Sequence, residues 1–94
     1  MSYSERASSD LERLAEFLQE NDADPAAALT KIVQAIAFLR EQPRLGPMLD
    51  RSGLRALVIS SGKSGYVAHY RYVESEDKVL VVGVRHQRER RRID

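Results

Sequence analysis

The sequence predicts an α+β fold in which an N-terminal helical hairpin packs on a small twisted antiparallel β-sheet. Apolar residues recur at helical spacing over residues 4–41, and β-branched and aromatic residues dominate three segments between residues 54 and 86. The connections between those segments are short enough for hairpins. A chain of 94 residues is too short to bury two cores, so we expect a single domain over residues 1–94. Its last part, residues 87–94, is a basic segment.

The first helix is predicted to begin after Ser4, whose hydroxyl can cap its N-terminus. The apolar residues that follow keep the spacing of one helical face: Ala7, Leu11, Leu14, Ala15 and Leu18. Asn21 is expected to end this helix in a left-handed conformation. Asp24 and Pro25 then start a second helix, because aspartate caps well and proline loses no hydrogen bond at the first helical position.

The second helix is expected over about residues 25–40. One apolar stripe runs along it, formed by Leu29, Ile32, Val33, Ile36 and Leu39. Alanines surround the stripe, so another helix can approach closely. Pro43 and Pro47 follow and require a turn.

Three strands are predicted, at residues 54–59, 66–73 and 79–85. The middle one alternates, with Tyr66, Ala68, Tyr70 and Tyr72 on one side. The third is apolar in both registers, which is typical of a strand covered on both faces. The segment SSGKSG, residues 60–65, is interpreted as a hairpin turn. A phosphate-binding loop would need a glycine five positions before Gly62, where Leu57 stands.

Composition excludes several classes of function. Cysteine is absent, so the chain has neither disulfides nor thiolate metal sites, and a reducing cytoplasm fits it. No apolar stretch approaches the roughly 20 residues of a membrane span, and no secretory signal opens the chain. His69 and His86 have no carboxylate at metal-ligand spacing. We therefore expect a cytoplasmic protein that binds no metal, no cofactor and no membrane.

Charge is distributed unevenly along the chain. Residues 1–24 hold two basic and seven acidic groups, whereas residues 25–94 hold thirteen basic and seven acidic groups. Five of the twelve arginines fall within eight residues: Arg85, Arg88, Arg90, Arg91 and Arg92. Guanidinium is the planar bidentate donor suited to phosphate or carboxylate, so the cluster favours specific anion recognition. A solvated face, or a frayed basic terminus at Arg90–Arg92, remains an alternative interpretation.

The two histidines receive different interpretations. His86 ends the third strand among guanidinium groups, whose positive charge would keep it neutral near pH 7. A functional His86 and a solvated His86 both fit the sequence. His69 is expected to have a surface or inter-strand role. No aromatic residue is interleaved with the terminal arginines, so direct sequence-specific nucleic-acid binding is not expected.

Six sequence pieces carry a resemblance to a known family. In order they are ASSDL at residues 7–11, AA at 27–28, PRLG at 43–46, LRALV at 54–58, GYVAHYRY at 65–72 and VRHQRE at 84–89. Together they resemble the ParE branch of the RelE/ParE superfamily of bacterial type II toxins. The resemblance implies a helical hairpin on a twisted antiparallel sheet and, as a partner, a ParD-like antitoxin.

The resemblance implies a toxin that poisons DNA gyrase by stabilising the gyrase–DNA cleavage complex. Such a toxin need not break bonds. The expected target-binding residues are the basic groups of the second and third strands and the turn beyond: Arg85, His86, Arg88, Arg71 and His69.

Two other functions stay open. One is a ribosome-dependent mRNA interferase of RelE type, an endoribonuclease that would use Arg55, His86 and Arg88. Val67 stands where such nucleases carry arginine, and no tyrosine or lysine follows Tyr72 and Lys78, so this alternative lacks groups that it needs. The other is a toxin fold that binds proteins without activity.

An antitoxin of this kind packs a C-terminal segment across the toxin's helices and sheet edge. The residues expected to bind it are Leu29, Val33, Ala37 and Arg55. Only Met1, Ser2 and Tyr3 precede Ser4, where relatives carry a longer first strand. Either the first strand is vestigial or its edge is exposed, and an exposed edge would favour a homodimer or stronger dependence on the antitoxin.

Overall fold

The computed structural model describes residues 1–89. Over these residues the elements are β1 Ser2–Tyr3, α1 Glu5–Asn21, α2 Pro25–Ala37, β2 Leu54–Ser61, β3 Ser64–Val73 and β4 Lys78–His86, with single 3-10 turns at Phe38–Arg40 and Glu74–Glu76. The sheet order is β1-β4-β3-β2. β2, β3 and β4 are antiparallel, whereas β1 runs parallel to β4. The predicted α+β fold is confirmed, and β1 makes the sheet mixed. Arg90, Arg91 and Arg92 lie outside the described residues.

Both predicted helix N-caps are confirmed. The Ala7 N–H donates to Ser4 Oγ at 3.0 Å, and the Ala27 N–H donates to the Asp24 carboxylate at 3.2 Å. Each bond satisfies a backbone donor that has no partner inside its helix.

The prediction that Asn21 adopts a left-handed conformation is wrong. The residue after the helix, Asp22, is extended, with φ −126° and ψ 142°. The Asn21 side-chain amide donates instead to the Phe17 carbonyl at 2.8 Å. Asp22 Oδ1 accepts the Asp24 N–H at 2.8 Å, so a side-chain turn joins the helices and no left-handed residue is needed.

The core lies between the two helices and one face of the sheet. Tyr66, Ala68 and Tyr70 of β3 are fully buried there, so the predicted side of that strand is the core side. They pack with the apolar stripes of both helices and with β4 residues, among them Leu14, Leu18, Ile32, Ile36, Val81 and Val84. Within residues 1–89, the opposite face of the sheet carries no helix.

The turn after α2 is fixed to the sheet by Tyr70. Its hydroxyl accepts the Gly46 N–H at 2.9 Å and donates to the Pro43 carbonyl at 2.8 Å. A Cβ on Gly46 would lie 2.5 Å from the Ala56 carbonyl oxygen, so only glycine fits against β2 here. The same segment covers the start of β2, since the Leu49 N–H donates to the Leu54 carbonyl at 2.8 Å.

The outer edge of β4 is covered by α1 where β1 ends. β1 pairs only with Leu80 and Val81. Beyond it, the Val84 N–H donates to Asp10 Oδ2 at 2.9 Å. The first strand is therefore vestigial, and a helix side chain replaces part of its hydrogen bonding. The expectation of an exposed edge at this place is not supported.

Candidate functional site

A cleft of about 830 Å³ opens on the face of the sheet that carries no helix. Its floor is formed by strand residues, namely Leu54, His69, Arg71, Val82, Gly83, Val84 and Arg85. Its wall is formed by Arg6, Asp10 and Arg13 of α1 together with Glu89. Arg71, Arg85 and His69, three of the predicted target-binding residues, are thus brought together.

Strand alternation and one β-bulge place these side chains in the cleft. His69 pairs with Gly83 and Tyr70 pairs with Val81, so Val82 has no partner and the register shifts there. A bulge adds one residue to one strand, and after it the side chains again alternate between the two faces of the sheet. Beyond the bulge, Arg85 therefore projects from the face opposite the buried Val84 and lies near His69.

A clamp formed by Asp10, Arg13 and Glu89 joins α1 to the end of β4. Arg13 Nε donates to Glu89 Oε2 at 2.9 Å, and Arg13 Nη1 donates to Asp10 Oδ1 at 2.7 Å. The His86 N–H donates to Glu89 Oε1 at 2.8 Å. Both carboxylates of the clamp are therefore already used by Arg13 and by backbone groups of β4.

The clamp shifts the pKa of two of its members. The hydrogen bond to Glu89 raises the pKa of Arg13. Burial alone would raise the pKa of Glu89, but the hydrogen bonds from Arg13 and from the His86 N–H outweigh it and lower that pKa. Arg13 and Glu89 are therefore ionised over the neutral pH range.

The remaining guanidinium groups of the cleft form no direct ion pair within residues 1–89, although the Ser52 hydrogen bond lowers the pKa of Asp50 and the charge of Arg71 adds to that effect. Among residues 1–89, Arg6, Arg71 and Arg85 have no carboxylate within ion-pair distance. Arg71 Nη1 donates to the carbonyl and the hydroxyl of Ser52, both at 2.8 Å. Arg85 Nε is buried and has no acceptor among the described residues. The cleft consequently holds surplus positive charge.

His86 lies on the other side of β4, away from the cleft. It is only 3% exposed, and its ring lies 5.0 Å from the rings of Phe17 and Tyr66. Nδ1 accepts the Arg88 N–H at 2.9 Å. Burial lowers the pKa of His86, and the nearby Arg88 lowers it further. Arg88 itself is exposed in the turn that follows β4.

Comparison with known proteins decides the family. The model of the ParE toxin of the type II toxin–antitoxin system parDE matches residues 1–91 of this chain. This chain belongs to the ParE toxin family. A solved chain of the chromosomal ParDE system from P. aeruginosa resembles this ParE toxin with a TM-score of 0.71 and 13% identity, over 90% of this chain and 91% of that one. No curated protein sequence matches it.

Family membership fixes the general role of the molecule. The protein is a ParE toxin of a type II toxin–antitoxin system, and the parDE system implies a ParD antitoxin as its partner. Its helical pair on a four-stranded, mostly antiparallel sheet is the RelE/ParE fold. Within residues 1–89, no helix of this ParE toxin is long and apolar enough to cross a membrane, and no three metal-ligating side chains cluster.

The residues expected to bind the antitoxin have different environments in this ParE toxin. Val33 and Ala37 are exposed on α2, whereas Leu29 packs partly against the core. Arg55 supports the turn after α2, because its Nη1 donates to the Gly46 carbonyl at 2.7 Å and to the Arg44 carbonyl at 3.3 Å.

The residues of the nuclease alternative do not converge in this ParE toxin. Arg55 pairs with Tyr70 near the start of β2, whereas His86 pairs with Tyr66 at the other end of β3. His86 is buried and Arg88 is exposed beyond it.

Sequence reasoning missed the contribution of α1 and of Glu89 to the cleft. Arg6, Asp10 and Arg13 follow the spacing i, i+4, i+7 and so form one stripe beside the apolar stripe. That stripe was a usable signal, because a row of alternating charges along a helix indicates a specific polar surface. No comparable signal marks Glu89, whose partner Arg13 lies 76 residues earlier.

Proposed function

We propose that this ParE toxin binds DNA gyrase and stabilises the gyrase–DNA cleavage complex, and that the cleft is its target-binding surface. The observation that carries the proposal is the convergence of Arg71, Arg85 and His69 on the open face of the sheet. A rigid cationic surface can recognise an anionic region of a partner without any bond-breaking step.

The placement of the basic groups favours a binding toxin over a nuclease. Arginine stays protonated and cannot act as a general base. His86 is buried with Nδ1 already accepting a backbone hydrogen bond, which leaves it poorly placed to take a proton from a ribose hydroxyl. Arg55 is occupied by the turn after α2.

The proposal is tested with purified gyrase. The toxin should inhibit supercoiling and increase the amount of cleaved DNA trapped with the enzyme. The double variant Arg71→Gln with Arg85→Gln should need an at least roughly tenfold higher concentration, because it removes two charged contacts of about 1.5–3 kcal/mol each. Thermal melting of the variant verifies that it is folded.

A matched control removes two positive charges elsewhere. Lys31→Gln with Arg40→Gln has the same net charge as Arg71→Gln with Arg85→Gln, and both of its residues are exposed away from the cleft. It should inhibit gyrase like the original chain. If Arg71→Gln with Arg85→Gln is folded and inhibits gyrase as strongly as the original chain, the proposed site is refuted. The absence of gyrase inhibition together with cuts in ribosome-bound mRNA would favour the nuclease.

A ParD-like antitoxin is proposed to cover the exposed apolar part of α2. Val33 is 43% exposed there and Phe38, just beyond the helix, is 47% exposed. The turn that follows adds exposed apolar side chains at Leu45, Met48 and Leu49. Apolar surface of this extent next to small residues suits the close approach of a partner helix.

A further inference from the structure

We infer that the cleft binds the phosphodiester backbone of DNA and does not read its sequence. The inference deepens the proposed function and rests on it for the source of the DNA, which gyrase holds. Four observations support it: the charge of the cleft, the unpaired donor of Arg85, the size of the cleft and the chemistry of its lining.

The charge of the cleft is available to an external anion. Among the described residues of the lining, the acidic ones are Asp10 and Glu89, and the clamp has engaged both of them. Arg6 and Arg85 form no ion pair within residues 1–89, and Arg71 bonds only Ser52 there. Three guanidinium groups around one open space match a polyanion better than a single carboxylate.

Arg85 supplies a donor that the folded chain leaves unsatisfied. Its Nε is buried without an acceptor among the described residues. Buried polar atoms of native proteins nearly always have partners, so an unpaired donor on a residue that lines the cleft points to an acceptor that arrives from outside. Phosphate oxygens are such acceptors, and they pair with guanidinium in a bidentate way.

Gly83 forms part of the floor near Arg85, and the cleft is larger than one phosphate group. Gly83 lies between the bulge and Arg85, and a Cβ there would stand 3.3 Å from Asp10 Oδ2. The absence of a side chain leaves room for the Asp10 carboxylate, which accepts the Val84 N–H. A volume of about 830 Å³ exceeds what one phosphate group needs and admits a length of backbone.

The lining recognises phosphates and not bases. Its described residues include no phenylalanine, tyrosine or tryptophan on which a base could stack. The apolar lining residues are aliphatic: Leu54, Val82 and Val84. Backbone contacts without base contacts give binding that depends on salt and is indifferent to sequence.

The test measures DNA binding by the isolated full chain. The anisotropy of a short fluorescent DNA duplex is titrated at several salt concentrations between about 50 and 200 mM. The cleft variant is Arg6→Gln with Arg85→Gln, because neither side chain makes a hydrogen bond or an ion pair within the described residues. The control is again Lys31→Gln with Arg40→Gln.

We expect the original chain and the control to bind with similar affinity and similar salt slopes. The cleft variant should bind at least about tenfold more weakly at low salt, with a slope of log affinity against log salt smaller by about 2. Duplexes of different sequence should give equal affinities. Equal weakening by both double variants would show diffuse attraction and overturn the inference, as would cleft-dependent binding to gyrase in the absence of DNA.

This result separates the inference from the proposed function. Gyrase poisoning without cleft-dependent DNA binding would refute the inference alone. Cleft-dependent DNA binding by a chain that does not poison gyrase would refute the proposed function alone.

Discussion

At the end of β4, His86 occupies a site between two aromatic rings in which a charged imidazole is poorly solvated. Its sequence neighbours suggested that guanidinium groups would keep it neutral. The structure shows that burial is the larger cause of the lowered pKa and that Arg88 is the second cause, whereas Glu89 opposes them. The neutral state of His86 is therefore a property of the fold more than of its neighbours in sequence.

His86 should make the stability of the toxin depend on pH. An unfolded histidine binds a proton near pH 6.5, whereas folded His86 binds it only at lower pH. The unfolded state then holds more protons, so the free energy of unfolding should fall as the pH drops below about 6.5. Denaturant unfolding at pH 7.5 and pH 5.5 measures the loss, and His86→Phe should reduce it.

His69→Gln is the matched control, because it removes the other histidine and keeps the buried one. It should still lose stability between the two pH values, because the buried His86 is retained. An equal loss in the His86→Phe variant would contradict this account of His86.

Some residue-level roles were accessible from sequence and others were not. Ser4 and Asp24 were recognised as caps because capping depends on residues three positions away. The sequence analysis gives Arg55 a role in antitoxin binding or in the nuclease alternative. Its side chain donates to the carbonyl oxygens of Arg44 and Gly46, which its sequence position does not reveal. Those contacts exist only once β2 has paired with β3 and the turn after α2 has packed on it.

At the scale of elements, α1 both packs on the core and closes the edge of β4. Ala7, Leu14 and Leu18 are its buried residues. A neighbouring stripe supplies Asp10 and Arg13, which bond β4 directly. Two adjacent stripes on one helix thus perform two structural tasks, and a short β1 becomes sufficient.

Asp10→Ala should destabilise the toxin by about 1–3 kcal/mol, because the part-buried Val84 N–H at the outer edge of β4 would lose its acceptor. Denaturant titration measures the loss. Glu12→Ala is the matched control, since Glu12 is exposed on the same helix, and it should change stability by less than about 0.5 kcal/mol. Similar losses in the two variants would show that the Asp10–Val84 hydrogen bond is not the cause of the loss.

Periodicity predicted the helices and strands to within a few residues, and the β-bulge explains what it could not predict. Val82 is as apolar as its neighbours in β4, so nothing in the sequence of this run reveals that the register shifts there. Val81 and Val84 face the core, although a regular strand would place them on opposite faces. The side on which Arg85 projects therefore required coordinates.

At the scale of the whole molecule, the two faces of the sheet are used differently. One face is covered by the helices, whose outer surface is proposed to receive the antitoxin. The other face carries the cationic cleft. The antitoxin surface and the cleft can therefore be altered separately by mutation.

Val33→Asp should weaken capture of the ParD antitoxin encoded with the toxin by at least about tenfold, because it places a charge within an apolar contact. The same change at Val73, which is 37% exposed at the end of β3, serves as the control. Co-purification and titration calorimetry measure the affinities. Retained affinity in Val33→Asp would remove α2 from the antitoxin interface.

The clamp has a consequence for synthesis. Arg13 and Glu89 are 76 residues apart, and the wall and floor of the cleft draw on residues from both ends of the chain. Domains fold as they emerge from the ribosome, N-terminal part first, but a contact spanning most of the chain must wait for the last strand. A growing polypeptide consequently carries no finished cleft until β4 and Glu89 have been synthesised.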